Sequence, residues 1–395
     1  NLNFSGRAIN YLRATGIFSD DFLEFLRGVR FTGSVRAIPE GRLYFTDEPA
    51  VEITAPLIEA QLVETFIINQ VNLQSMLATK AARCVWAAQG RGIADFASRR
   101  TQGTDAALKM ARASYIAGFS STSNVLAASI YGMPPAGTMA HSFISSVPSE
   151  LEAFRAYAAS FPARTILLVD TYDTIAGTWN AVQVAKEMES DGHKLTAVRL
   201  DSGDFDELSR NVREILDDSG LDYVKILASG GLDEYELETL VNDGAPIDLF
   251  GVGTKAGVSA DAPWSDMAYK LVCFDGRPVM KLSPDKVSLP GAKQVYRTKD
   301  SSGMFAKDII ALDDEELPGG LPVLEEVMKN GRRTGPSATL DEVRQRFQDD
   351  FAALDERFKV LNNPPRFPIS VSGQLERLTA EVREEVLGIN VSDSD

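Results

Sequence analysis

Histidine is scarce in this chain of 395 residues. There are two, and one of them, His141, follows a run of small and polar residues, Gly137-Thr138-Met139-Ala140. Imidazole is the side chain best suited to take up and hand on a proton or a phosphoryl group near neutral pH. The run also fits a structural histidine placed after a glycine turn. The residues further along the chain decide between these interpretations.

Four short apolar stretches follow His141, and each ends in polar or glycine residues. The residues that close them are, stretch by stretch, Asp170 and Asp173; Arg199, Asp201 and Asp204; Ser229, Gly230 and Gly231; and Gly253 and Thr254. Helical patterns lie between the stretches, at 177–189, 205–218 and 233–242. This alternation predicts parallel βα units, arranged as an α/β barrel or a doubly wound sheet. Both architectures bind ligands at the carboxyl ends of the strands, so these residues should face one mouth.

Two glycine-containing turns among these residues could each bind a phosphate. In the run from Gly251 to Thr254 two residues lack a Cβ, so backbone N–H groups can approach an anion closely. Barrel folds also often hold phosphate after their late strands. The Ser229-Gly230-Gly231 turn offers a second site of this kind. Both runs equally fit tight turns that bind nothing, and the sequence leaves this choice open.

The charged residues allow two interpretations as well. Arg199 and Asp201 lie two apart, so a regular strand puts both on one face, where Arg199 could reach a ligand anion or pair with Asp201. Asp201 and Asp204 could bind ribose hydroxyls or Mg²⁺ through water, whereas Asp204 could instead cap the following helix. Upstream, Arg99-Arg100 suits either a polyanionic ligand or a solvated basic turn.

Taken together, the motifs resemble those of the nicotinate phosphoribosyltransferases, which are type II phosphoribosyltransferases. The resemblance covers about 31–307 and rests on five motifs in the family's order, at 96–100 (Phe-Ala-Ser-Arg-Arg), 137–142 (Gly-Thr-Met-Ala-His-Ser), 169–173 (Val-Asp-Thr-Tyr-Asp), 199–204 (Arg-Leu-Asp-Ser-Gly-Asp) and 251–254 (Gly-Val-Gly-Thr). A later run from Lys281 to Arg297, which includes Lys286 and Lys293, also fits. Each motif alone is unspecific, but five in order are highly specific. The family's Thr-Asp-x-Tyr stretch, which lends a tyrosine to the site, does not precede Asn1, and the wall around the base is therefore incompletely assigned.

The resemblance implies an irregular parallel α/β barrel whose site is completed by a neighbouring subunit, most simply in a homodimer. It implies transfer of phosphoribosyl from PRPP to nicotinate, which gives nicotinate mononucleotide and pyrophosphate. ATP hydrolysis is coupled to this step in the family, and Mg²⁺ accompanies PRPP and ATP. We place the barrel at 91–269, an α+β auxiliary domain at 1–90 and 270–330, and a C-terminal helical segment at 331–395.

The same resemblance assigns roles position by position. His141 falls where the family's phosphorylated histidine lies, and Asp170 matches the carboxylate that orients its ring. Phe96 matches the aromatic residue that stacks on the pyridine, and Arg99 matches an arginine near the substrate and pyrophosphate. The remaining matches are Arg199 and Asp201 around the base and ribose, and the Ser229-Gly230-Gly231 turn with Gly253 and Thr254 at the PRPP phosphates.

One position bears on the choice of substrate. Ser123 falls where the nicotinamide-using relatives carry an Asp that accepts a hydrogen bond from the amide. An Asp would repel the carboxylate of nicotinate, whereas a hydroxyl can donate to it. Ser123 therefore favours the acid over the amide.

Other functions fit less well. A nicotinamide phosphoribosyltransferase conflicts with Ser123, and a catalytically silent ligand-binding relative would be expected to have lost His141 or the acids at the strand ends. An aldolase-type barrel needs a Schiff-base lysine at a strand end, but no predicted strand between 165 and 254 ends in a well-placed lysine, since Lys255 lies just past one.

Composition agrees with a small-molecule enzyme. The net charge of −16 argues against a nucleic-acid partner, which needs a basic surface. Cys84 and Cys273 are too few for a disulfide framework, which indicates a reducing, cytoplasmic location. Polar residues interrupt the longest apolar helix, at about 56–88, so it is not expected to span a membrane, and no secretory signal opens the chain.

The segments outside the βα units carry their own signals. Pro56 suits the first position of the long helix, and Asp275-Gly276 suits the turn of a hairpin in a tract that should return to the amino-terminal domain. A capping box of Thr339 and Glu342 predicts a helix that runs to Phe358, and a last helix is expected at 374–386.

Overall fold

The computed structural model describes residues 2–283 and 287–388. Lys286 and residues 389–395 of the predicted C-terminal segment lie outside these ranges. The helices are α1 (Gly6–Ala14), α2 (Asp20–Gly28), α3 (Leu57–Ala87), α4 (Thr104–Ala117), α5 (Val125–Tyr131), α6 (His141–Ser145), α7 (Glu150–Ser160), α8 (Thr174–Ser190), α9 (Phe205–Asp218), α10 (Glu234–Asn242), α11 (Thr254–Gly257), α12 (Leu340–Ala353) and α13 (Gly373–Leu387). The strands are β1 (Ser34–Ala37), β2 (Val51–Thr54), β3 (Gly92–Asp95), β4 (Ser121–Thr122), β5 (Ile166–Leu168), β6 (Ala197–Leu200), β7 (Lys225–Ser229), β8 (Leu249–Val252), β9 (Cys273–Phe274), β10 (Arg277–Pro278), β11 (Lys293–Lys299), β12 (Phe305–Leu312), β13 (Leu321–Pro322), β14 (Glu325–Lys329), β15 (Arg332–Arg333) and β16 (Ile369–Val371).

The chain forms two compact units. One comprises Asn1–Val71 with Asp266–Asp395, and the other comprises Asn72–Ser265. The first boundary therefore falls within α3, whereas the sequence placed it after that helix. The tract after the barrel returns to the amino-terminal unit, and the C-terminal helices α12 and α13 belong to the same unit.

The second unit is built on a parallel sheet with the strand order β4-β3-β8-β7-β6-β5. Because β8 pairs with β3, the strands follow each other around a barrel in chain order. Among the described residues, the one junction of this circle without a hydrogen-bonded ladder is that between β4 and β5. The second unit is thus an irregular α/β barrel, as predicted.

Burial explains why these short segments are strands. Leu167, Val198, Ile226 and Phe250, one from each of β5 to β8, have no exposed surface, as expected for strands covered by helices on the outside. The helices predicted between them are present as α8, α9 and α10 within three residues of the expected bounds. Side chains at the strand ends begin these helices, because Asp173, Asp204 and Asp233 each accept hydrogen bonds from amides of the first turn.

The first unit contains two antiparallel-rich sheets, of order β15-β14-β1-β2 and β13-β11-β12-β16, and the predicted hairpin of β9 and β10. Its turn residues Asp275 and Gly276 both have positive φ (51° and 77°), as the predicted two-residue turn requires. The long helix α3 begins directly after Pro56, as expected. The capping box of Thr339 is also present, but α12 ends at Ala353 rather than at Phe358.

The early end of α12 has a local cause. Leu354 adopts an extended conformation, and the Asp355 carboxylate then accepts a hydrogen bond from the amide of Arg357, which starts a separate 3₁₀ turn at Glu356–Phe358. No helix among the described residues combines the length and the apolar character that a membrane crossing requires.

Candidate active site

The residues singled out by the sequence follow six parallel strands. Phe96 follows β3, Ser123 follows β4, Asp170 follows β5, Asp201 follows β6 and Gly253 follows β8, while Ser229 is the last residue of β7. Parallel strands bring their carboxyl ends to the same side of a barrel. The expected shared mouth is therefore present.

Arg199 forms hydrogen bonds with several side chains at this mouth. Its guanidinium donates to the Ser229 hydroxyl at 2.7 Å, to the Asp201 carboxylate at 2.5 Å and to the Thr138 hydroxyl at 2.7 Å. The Arg199–Asp201 ion pair is one of the two interpretations that the sequence left open. The ends of β6 and β7 and the loop before α6 are thereby joined through one cation.

Asp201 is fixed by the groups around it. The Ser229 hydroxyl donates to its Oδ1 at 2.5 Å. Burial raises the pKa of Asp201, but this hydroxyl, the Arg199 charge and His141 together outweigh burial and hold the pKa below its ordinary value. Asp201 is therefore a carboxylate at neutral pH.

His141 lies beside that carboxylate at the first residue of α6. Its Nε2 is 3.6 Å from Asp201 Oδ2, and its Nδ1 is 3.1 Å from the Thr171 hydroxyl. The imidazole ring is 44% exposed, so a ligand in the mouth can reach it. A carboxylate near one ring nitrogen stabilises a positive charge on the ring.

The partner of the ring differs from the expected one. Asp170 was assigned to orient His141, but both ring nitrogens face other side chains, those of Thr171 and Asp201. Asp170 Oδ2 instead accepts hydrogen bonds from the Asp201 amide at 3.0 Å and the Ser202 hydroxyl at 2.6 Å. Its carboxylate therefore fixes the turn that carries Asp201.

Phe96 forms one wall of the mouth. A Cβ added to Gly251 would lie 2.5 Å from its ring, so glycine is required there for the ring to lie against β8. The Arg199 guanidinium carbon lies 5.6 Å from the ring centroid, within the range of a cation–π interaction.

The turn after β7 also depends on glycine. Gly230 has a φ of +110°, and a Cβ there would lie 2.0 Å from the Asp201 carbonyl oxygen. Replacing this glycine would force the β6 and β7 strand ends apart. The Ser229–Gly231 turn can therefore pack against the Asp201 backbone more closely than a residue with a Cβ would allow.

An ion network joins this turn to the next one. The Lys255 ammonium lies 3.2 Å from Asp233 Oδ2 and 2.5 Å from Glu236 Oε1. Asp233 opens α10 two residues after Gly231, and Lys255 directly follows Thr254. The two candidate phosphate turns are thus held to each other by a salt bridge.

Comparison with known proteins identifies the family. Family models of nicotinate phosphoribosyltransferase match residues 1–72 (N-terminal domain), 92–283 (the family itself) and 321–379 (C-terminal domain). The nicotinate phosphoribosyltransferase pncB2 of Mycobacterium tuberculosis is 50% identical over 395 residues, which cover 98% of this chain and 84% of that protein. The chain belongs to the nicotinate phosphoribosyltransferase family.

Further relatives agree with this assignment. The nicotinate phosphoribosyltransferase of Bacillus subtilis is 37% identical over 94% of this chain and 82% of its own length. Among solved structures, human nicotinic acid phosphoribosyltransferase has a TM-score of 0.86 at 27% identity, over 96% of this chain and 89% of that chain. The nicotinate-nucleotide pyrophosphorylase of Pyrococcus furiosus has a TM-score of 0.72 at 26% identity, over 88% and 93% of the two chains.

Two of the predicted site residues, Arg99 and Asp204, form no contact with the cluster around Arg199 among the described residues. Arg99 is exposed and forms no ion pair within the described parts of the chain. The Asp204 carboxylate is used as a helix cap, which was one of its two interpretations. Across 2–283 and 287–388, no three His, Cys, Asp or Glu side chains are grouped as a metal site.

Two hydroxyls that sequence reasoning gave no role are part of the mouth. Thr171 contacts His141 Nδ1, and Thr138 accepts a hydrogen bond from Arg199. Both stand inside the family motifs, Thr138 three residues before His141 and Thr171 directly after Asp170. Their place in these motifs was the available signal, because a threonine by itself indicates no chemistry.

Proposed function

We propose that this protein transfers phosphoribosyl from PRPP to nicotinate and releases nicotinate mononucleotide and pyrophosphate, a step of NAD biosynthesis. The observation that carries the proposal is the joint contact of Arg199, Asp201, Ser229 and His141 at the strand ends of a chain of this family. In the reaction, the pyridine nitrogen attacks the anomeric carbon of PRPP as the bond to pyrophosphate breaks. Positioning and charge stabilisation are the protein's contribution to such a step.

The base would bind between Phe96 and Ser123. The Phe96 ring offers a flat apolar face that Gly251 and Arg199 hold in place. The Ser123 hydroxyl has no hydrogen-bond partner within the described ranges and can donate to a carboxylate. This combination supports nicotinate over nicotinamide.

The phosphates of PRPP would bind at the two glycine turns, Ser229–Gly231 and Gly253-Thr254. Backbone amides in such turns donate hydrogen bonds to anions, and these bonds offset the repulsion from the protein's net negative charge. Arg99, exposed after the Phe96 turn, is free to move to the departing pyrophosphate. Guanidinium pairs with phosphate oxygens through two parallel hydrogen bonds.

His141 would accept the γ-phosphoryl group of ATP. A ring nitrogen attacks phosphorus, ADP leaves with the bonding electron pair, and water later cleaves the phosphohistidine. Asp201 beside Nε2 stabilises the positive charge that the ring acquires, and the Thr171 hydroxyl holds the other side of the ring. Hydrolysis of the phosphohistidine after the transfer would make the turnover less reversible.

Mg²⁺ would enter with PRPP and ATP. When bound, it neutralises the charge on the departing pyrophosphate. Mg²⁺ commonly takes one or two carboxylates together with substrate phosphates and water, so a site without a dedicated cage of acids is compatible with it. Asp204 would bind the metal through a water molecule with its Oδ2, since the amides of α9 bind its Oδ1.

A homodimer with the site at the subunit interface fits the surface beside the mouth. The α5 helix starts two residues after Ser123 and exposes Val125, Leu126 and Ile130 by 70%, 60% and 55%. Trp179, on the helix after Asp170, is 52% exposed. Exposed apolar side chains on one short helix, such as the three on α5, are typical of an interface. Both cysteines are free thiols, which agrees with a reducing, cytoplasmic location.

The decisive experiment is PRPP-dependent pyrophosphate release with nicotinate, nicotinamide or quinolinate, each with and without ATP. We expect turnover with nicotinate, stimulated by ATP, and little with the other two. Preference for nicotinamide would instead indicate the amide-using transferase. Absence of turnover with all three would support a catalytically silent relative and overturn the proposal.

A further inference from the structure

Asp95 is a buried carboxyl group that the proposed reaction does not use. It is the last residue of β3 and has no exposed surface. Its Oδ1 accepts a hydrogen bond from the Ala97 amide at 2.8 Å, and its Oδ2 accepts one from the Thr122 hydroxyl at 2.7 Å. Among the described residues, no cation forms an ion pair with it.

Burying a carboxyl group costs folding free energy, so its presence in the core calls for an explanation. Burial raises the pKa of Asp95, and the two hydrogen bonds from Thr122 and Ala97 lower it again in part. A core position of this kind is cheaper to fill with an apolar side chain. We therefore attribute the presence of a carboxyl group at this position to its two hydrogen bonds, which fix Ala97 and Thr122.

Thr122 connects Asp95 to the turn that follows β4. Its hydroxyl donates to Asp95 and accepts a hydrogen bond from the Asn124 amide at 3.0 Å, and its side chain is 1% exposed. In parallel, the Ser123 amide donates to the Asp95 carbonyl oxygen at 2.8 Å. Asp95 thus binds both Ser123, through its amide, and the residue before it, and Thr122 in turn binds the residue after it.

The two segments held in this way carry the two groups that would contact the base. One side of the carboxyl group holds Ala97, directly after Phe96, and the other holds the turn around Ser123. We propose that Asp95 and Thr122 form a positioning pair that sets the Ser123 hydroxyl relative to the Phe96 ring and so determines the preference for nicotinate over nicotinamide. This inference rests on the proposed function, and neither residue touches the substrate.

The pair should act on base recognition and leave PRPP binding alone. The candidate phosphate turns follow β7 and β8 and are held by Arg199, Asp201 and Lys255. Asp95 and Thr122 lie on β3 and β4 and form no side-chain bond to those residues in the described parts of the chain. A general loosening of the barrel would instead impair both substrates together.

Thr122→Val tests the pair, because valine keeps the shape of threonine and removes its hydroxyl. We expect the KM for nicotinate to rise about tenfold, as for a buried acceptor left without its hydrogen bond. The KM for PRPP should stay within about twofold, and the nicotinate-to-nicotinamide ratio of kcat/KM should fall about tenfold. Thr122→Ser keeps the hydroxyl and should restore both values.

Two further variants complete the experiment. Asp95→Asn supplies one acceptor where two are needed, so it carries the same expectation and decides the matter if the valine variant does not fold. Ser120→Ala is the matched control, because it removes a hydroxyl of the same junction that donates to the Ile93 carbonyl oxygen at 2.9 Å. This variant should resemble the wild type.

The outcomes separate the two proposals. Wild-type protein that does not turn over nicotinate overturns the proposed function. Wild-type turnover with unchanged selectivity in Thr122→Val and Asp95→Asn, or with equal rises in both KM values, overturns the positioning pair and leaves the proposed function intact.

Discussion

His141 Nε2 lies 3.6 Å from Asp201 Oδ2, and the other oxygen of the same carboxylate binds Arg199 and Ser229. The imidazole ring is therefore connected, through one carboxylate, to the ends of β6 and β7. A change of charge on the ring acts directly on the group that fixes the Ser229 turn. The proposed coupling between ATP and PRPP would act through this carboxylate.

His141→Ala should abolish the stimulation by ATP and leave slower, PRPP-dependent transfer, because in the proposed mechanism the ring accepts the phosphoryl group and takes no part in the attack by the pyridine. Pyrophosphate release with and without ATP measures this. His193→Ala is a natural control, since His193 is the second of the two histidines and is exposed. An equal loss of rate in both conditions would contradict the proposed role.

Ser123→Asp should move the preference from nicotinate towards nicotinamide by about tenfold or more, because an Asp repels a carboxylate and accepts from an amide. The ratio of kcat/KM for the two bases is the measurement. Ser129→Asp adds the same charge at an exposed position of α5 and should leave the ratio unchanged. A ratio unaffected by Ser123→Asp would remove Ser123 from the base site.

Lys255→Met should raise the KM for PRPP about fivefold, as expected for a half-exposed ion pair. The lost contacts to Asp233 and Glu236 join the two phosphate turns, so the KM for nicotinate should change less. Lys255→Arg keeps the charge and should retain most of the affinity. A Met variant with unchanged PRPP kinetics would show that the turns do not need this connection.

Leu126→Arg should weaken the proposed homodimer, because it puts a charge on the exposed apolar face of α5. Sedimentation should then report monomer at micromolar concentration, and activity should fall as the enzyme is diluted. Phe161→Arg is the control, since Phe161 is also exposed but precedes β5, at the end of the barrel opposite the mouth. A variant that stays dimeric would exclude this face as the interface.

Glu48 gives a prediction on stability and pH. Burial, together with the neighbouring Asp308, raises the pKa of Glu48 from 4.5 to about 9. Since the folded pKa lies above the unfolded one, this group's contribution to stability is fully present below pH 4.5 and is lost as the pH rises towards 9. The decline is at most about 1.4 kcal/mol per pH unit.

Glu48→Gln removes this titration and keeps the hydrogen bond that the Phe45 amide donates. We expect the variant to exceed the wild type in free energy of unfolding at pH 8 by about 1–3 kcal/mol, and to show a flatter decline above pH 5. Denaturant unfolding at several pH values measures this. Glu325→Gln, at an exposed position of β14, should keep the wild-type pH dependence. Identical slopes for Glu48→Gln and wild type would refute the prediction.

Part of the site could be predicted because its signals are local. Apolar runs closed by Asp170, Asp201, Ser229 and Gly253 predicted parallel strands, and parallel strands necessarily gather their carboxyl ends at one mouth. The motif order gave the family, and through it a set of candidate residues. Helix bounds followed closely from side chains that cap them, such as Asp204.

What the sequence could not give is the pairing of side chains across strands. It offered Asp170 as the partner of His141, and the tertiary structure gave Asp201, since the Asp170 carboxylate is taken by the Asp201 amide and the Ser202 hydroxyl. It likewise gave no role to Asp95 and Thr122, whose contact spans 27 residues.

The amino-acid sequence by itself thus determined the alternation of strands and helices along the chain, the edge at which the chemistry lies and the residue types present there. These features depend on short-range periodicity and on motif order. Which oxygen faces which nitrogen was decided by the tertiary structure alone. The stagger of neighbouring strands and the rotation of each side chain depend on packing between segments that are far apart in the chain.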